Sequence, residues 1–222
     1  MIVLFVILFL ITICGLKFSS FNKGYISSLH TNSVKGIFAV IILFSHLRGY
    51  LTIGGSLLDR GYEIILCWLG QLMVALFLFY SGYGIMESIK SKLDYGKTFF
   101  RKRILKTLFH FDVAVLAYYI LQTLLGNNYS TIDYITCWIG WSSIGNSNWF
   151  IFNIIALYLV TYPVLIKKIS YKRMGVAILC LTLCLWLILF FSKPQQSWWI
   201  DTLLSYPVGV FYSIYKDKRD VL

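Results

Sequence analysis

Apolar runs of about twenty residues recur along the whole chain, and a run of that length is what a helix needs to cross a bilayer. A water-soluble globule would need charge on roughly a quarter of its residues. Here 13% are charged and 59% are hydrophobic. Within a bilayer each run must satisfy its own backbone groups, which a helix does. The runs 1–16, 36–53, 63–86, 104–125, 149–166, 174–192 and 199–215 therefore predict an all-α polytopic bundle of about seven spans, one integral-membrane domain over 1–222. The stretch 132–143 (IDYITCWIGWSS) is apolar but too short to cross, which predicts a re-entrant or interfacial segment. Residues 1–16 lack a positive leading region and a small-residue cleavage site, so an uncleaved first span is expected.

A net charge of +11 invites a nucleic-acid reading, and the placement of the cations argues against it. Of the 20 cations, all but Arg48, Arg60 and Lys193 lie in alternate connections between the runs. Such one-sided loading is the positive-inside pattern, and it predicts a multi-pass cell-membrane protein with its N-terminus outside and its C-terminus cytoplasmic. The five cysteines lie in apolar stretches without ligand spacing, so neither a metal site nor a disulfide framework is expected.

Ionisable residues inside apolar runs are costly and mark sites or pathways. His46 lies ten residues beyond Gly36, a rise of roughly 15 Å from the expected cytoplasmic end. Lys35 stands eleven positions earlier, three helical turns, so the two share a helix face. A neutral imidazole there can take a proton from a hydroxyl nucleophile, or it can bond a neighbouring helix. Asp112 lies deep in its run beside His110, and a partner on another helix, His46 among the choices, is expected. Ser81 and Gly82 can admit a close helix contact, and Ser81 also offers a hydroxyl. FFRKRILK (99–106) gathers Arg101, Lys102, Arg103 and Lys106, with Arg103 and Lys106 one turn apart. Such a cluster can grip a phosphate-bearing ligand, fix orientation, or bind anionic lipid head groups. The connection 126–148 holds no Lys or Arg and is rich in Asn, Ser, Tyr and Trp, a composition that suits sugars and interfacial belts equally.

Four blocks in order resemble the acyltransferase 3 family of membrane acyltransferases. NSVKGIFAVIILFSH (32–46) is similar to the family's Arg, ten residues, His motif, with Lys35 in the Arg position. GQLMVALFLFYSGYGI (70–85) resembles its apolar run ending in Ser-Gly-aromatic, FFRKRILK its Arg-x-x-Arg element, and NSNWFIFNIIALYL (146–159) its Trp-Phe motif. The resemblance spans 32–160. It implies transfer of an acyl group, commonly acetyl, from acyl-CoA to a hydroxyl of a cell-surface glycan or glycolipid, with no metal. It implies His46 and Lys35 as catalytic and Arg101, Arg103 and Lys106 as acyl-CoA contacts; Ser81, Asp112, Asn148 and Trp149 are the candidate substrate-binding residues. Lys35 and Lys106 keep the charge of the family's arginines and lose the bidentate fork. Family members carry further C-terminal helices, so the expectation is a C-terminally short member. Expected partners are membrane lipid, the two substrates and a second subunit or glycan-assembly proteins, without nucleic acid. The alternatives are a non-catalytic transporter or assembly partner, against which no inverted repeat is visible, and an inactive family member.

Overall fold

In the computed structural model the described residues are 24–47, 56–167 and 169–219, with Val3, Val6, Ile7, Leu10, Ile11 and Cys14 near the start. Most of the expected span 1–16 lies outside them, as do Arg48, Lys168 and the end of the predicted run 36–53. Among the described residues every regular element is helical. The helices are α1 (Ser28–Leu47), α2 (Leu57–Ser91), α3 (Tyr95–Leu124), α4 (Thr131–Thr136), α5 (Trp149–Ile166), α6 (Tyr171–Ser192) and α7 (Ser205–Arg219). Five of these, α1, α2, α3, α5 and α6, are long and apolar enough to cross a membrane. The predicted run 199–215 instead becomes a 3-10 turn at Ser197–Trp199 followed by the 15-residue α7. The stretch 132–143 folds as α4 and a 3-10 turn at Cys137–Ile139, both far too short to span.

The chain divides into two compact units, Met1–Phe77 and Leu78–Leu222. In the first, the Tyr62 hydroxyl donates to the Phe44 carbonyl at 3.1 Å, and Ser45 donates to the Leu66 carbonyl at 3.1 Å. Buried Phe44, Tyr62 and Leu66 form its small core. α1 starts eight residues before the predicted run because Ser27 precedes it as a cap, its hydroxyl accepting the His30 amide at 3.4 Å. Ser56 caps α2 in the same way, accepting the Asp59 amide and donating to the Asp59 carboxylate at 2.7 Å.

In the second unit the core gathers Leu78, Met86, Phe99, Leu157, Ile178, Leu203, Tyr206 and Val210. Successive helices alternate in direction. Phe99, near the start of α3, stacks on Tyr162, near the end of α5, at 6.1 Å between centroids. The connections 125–148 and 193–204 meet at the opposite end, where Lys193 donates to the Trp141 carbonyl at 3.2 Å. α2 and α7 touch backbone to backbone: a Cβ added at Gly82 would lie 2.1 Å from the Tyr206 carbonyl oxygen, and one at Gly209 2.0 Å from that of Phe79. The outer faces carry exposed Phe109, Val113, Leu116, Ile120, Leu187 and Ile188. That is a surface for hydrocarbon rather than water.

Candidate functional site

In the second unit a pocket of about 560 Å³ opens where α2 ends and α3 begins. Ser88 and Lys92 come from the end of α2 and the residue after it, Asp94 from the turn, and Tyr95, Thr98, Lys102, Arg103 and Lys106 from the first turns of α3. The end of one helix and the start of the next thus bring four cations to one concavity with a single carboxylate. That carboxylate is engaged: Asp94 pairs with exposed Lys97 at 2.9 Å. The site is therefore electropositive, of a volume usual for small ligands, and suited to an anion.

A π turn over Phe100–Leu105 shapes this wall, the Lys106 amide donating to the Arg101 carbonyl. In a regular α-helix a residue eight positions on is about 80° off the starting face. The extra residue of a π turn returns position eight to that face. Arg103 thereby comes over Tyr95, and its Nε donates to the Tyr95 hydroxyl at 3.1 Å. Tyr95 is buried and set edge-on to Phe99 at 5.7 Å. Behind it, the Arg103 guanidinium lies against the Tyr158 hydroxyl, which shares a 2.8 Å hydrogen bond with Ser81. Tyr206 stands near the same group and is bonded to Thr161 at 2.9 Å. Among the described residues Arg103 forms no salt bridge.

The predicted site residues separate into groups. Arg103 and Lys106 line the pocket as one face, half-buried and exposed respectively, while Arg101 is exposed outside the lining. Ser81 belongs to the polar chain behind the pocket through Tyr158. Asp112 has one carboxylate oxygen covered and without a hydrogen-bond partner among the described residues, and it lies within electrostatic reach of Cys137. Asn148 precedes α5, its amide donating to the Gly140 carbonyl at 2.9 Å, which closes the 137–148 loop. Trp149 is half-buried, edge-on to Phe150. In the first unit, His46 is exposed in the last turn of α1, and Lys35 is half-buried two turns in from Ser28 rather than at the helix mouth. At 1.5 Å per residue His46 stands roughly 27 Å along α1 from Ser28.

Tyr95, Tyr158 and Lys92 are the site residues that sequence reasoning passed over. Lys92 was legible only as topology. The one available signal was Tyr95 opening the helix that carries the cationic run.

Among the described residues no group of His, Cys, Asp and Glu is arranged to hold a metal ion. Compared with known proteins, the chain matches no family model, no curated protein and no solved structure.

Proposed function

We propose that this protein is a membrane acyltransferase that moves an acyl group, acetyl in the first instance, from acyl-CoA to a hydroxyl of a cell-surface glycan or glycolipid. The observation that carries this reading is the pocket lined by Lys92, Lys102, Arg103 and Lys106, whose lone carboxylate is already paired with Lys97. Coenzyme A presents several phosphate charges, and charge-assisted bonds to Arg and Lys are the strong ones. The order of the four motif blocks supports the same reading. In it, Arg103 and Lys106 hold the donor's phosphates, with Arg101 at the rim. His46, with Lys35 on its helix, acts on the acceptor hydroxyl. The acceptor oxygen forms a bond to the acyl carbon, the thioester C–S bond breaks, the hydroxyl proton passes to the imidazole, and the thiolate leaves to be protonated. Seven crossings, counting 1–16 and 199–215, with the N-terminus outside, put the basic pocket on the cytoplasmic side where acyl-CoA is found.

The test is acceptor-dependent consumption of labelled acetyl-CoA by the purified protein supplied with glycan acceptors. His46→Ala is expected to abolish acylation while membrane insertion is unchanged; undiminished acylation in that variant refutes the reading. Arg103→Ala and Lys106→Ala are each expected to raise the KM for acetyl-CoA about tenfold or more. One observation favours a second reading, a proton or solute pathway: the covered, unpartnered oxygen of Asp112. Proton uptake by reconstituted vesicles that needs Asp112, without donor consumption, would select it.

A further inference from the structure

We infer that Tyr95 is a positioning residue: its hydroxyl fixes the Arg103 guanidinium so that the remaining N–H groups face the pocket and take a phosphate oxyanion. This rests on the pocket being an anion site and extends it to a residue outside the cationic run. An arginine carries five N–H donors in a planar fork, so committing one of them orients the rest. Nε is committed to Tyr95 at 3.1 Å, and Tyr158 lies against the same fork. A phenol hydroxyl accepts from the guanidinium without cancelling its charge, whereas a carboxylate in that position would neutralise it and compete with the ligand. The scaffold is stiff. Tyr95 is 8% exposed and Phe99 0%, and the Tyr158 hydroxyl is tied to Ser81 at 2.8 Å. The π turn supplies the register that makes the contact, since without its extra residue Arg103 would leave Tyr95's face.

The phosphate can belong to a soluble nucleotide such as coenzyme A or to an anionic lipid head group, and the two are separated by experiment. Binding of coenzyme A is measured to the purified full chain in a zwitterionic detergent. Binding of short-chain phosphatidylglycerol is measured against phosphatidylcholine under the same conditions. Tyr95→Phe keeps the ring and its edge contact with Phe99 and removes only the acceptor. It is expected to weaken phosphate binding about tenfold. Arg103→Lys has no Nε to orient, so adding Tyr95→Phe to it is expected to cost nothing further. A residue that acted only by packing would weaken binding equally in both backgrounds, so multiplying effects overturn the inference. So does wild-type affinity in Tyr95→Phe. The Arg103→Lys pair keeps the comparison valid even if Tyr95→Phe lowers the yield of folded protein, because both arms carry the same loss. If coenzyme A does not bind but phosphatidylglycerol does, with the Tyr95 dependence intact, the acyl-CoA reading fails and the positioning role stands. If neither binds, both fail.

Discussion

Lys193 is the residue that least resembles its sequence reading as a stray outer cation. Its ammonium lies 4.3 Å from the Trp141 ring centroid and 4.9 Å from that of Trp199, and it donates to the Trp141 carbonyl. It thereby ties the connection after α6 to the loop before α5. Burial holds its pKa below the ordinary 10.5, and Asp133 works weakly in the other direction. The sign follows: between the lowered folded value and 10.5 the unfolded chain binds more protons, so stability rises with pH across that window. In Lys193→Met that rise should vanish, read as the pH dependence of the melting temperature in detergent. Amine acylation of Lys193, followed by mass spectrometry, should reach half its plateau rate below pH 10.5.

Among the elements, the seam between α2 and α7 is the most demanding. Gly82 and Gly209 let backbone meet backbone, and beyond them Ser213 donates to the Glu87 carboxylate at 2.6 Å while Lys90 reaches the same oxygen at 3.1 Å and the Ser213 carbonyl. Without a hydrophobic drive between helices in lipid, such close packing and polar contacts do the joining. Gly82→Ala should therefore destabilise the protein by about 1–3 kcal/mol through overpacking. Gly84→Ala, two residues on and with nothing within 4 Å of the added Cβ, should be neutral or stabilise by up to about 1 kcal/mol through helix propensity. The two melting temperatures, measured in one detergent, decide it. Gly82 was legible as a helix contact; which helix it meets was not, because α7 lies more than a hundred residues downstream.

For the whole molecule, the alternation of helices in the second unit sends Lys97 and Lys172 to one end and Lys193 to the other. The proposed orientation then makes Lys97 and Lys172 cytoplasmic. A membrane-impermeant amine reagent should label these two in inside-out vesicles and Lys193 in right-side-out ones. Labelling of Lys97 and Lys193 from the same side would break both the alternation and the charge-based topology. Lys97 and Lys172 are exposed and Lys193 is half-buried, so the labelling of each is scaled to its rate in detergent-solubilised protein.

What the sequence determined by itself is what depends on neighbours along the chain. Cost of burial makes apolar runs helical and membrane-directed, and the run 149–166 became α5 with both ends unchanged, at Trp149 and Ile166. Helical spacing placed Arg103 and Lys106 on one face, and both line one pocket. The Ser27 cap is local too, and it starts α1 early, so that Lys35 lies inside the helix. Tertiary structure decided the rest. A π turn, invisible to a 3.6-residue period, brought Arg103 to Tyr95 and left Arg101 outside. Ser81 found Tyr158 77 positions away, and Asn148 closed a loop. Contacts of that kind depend on which helices pack together, and one local stretch of residues does not carry that information.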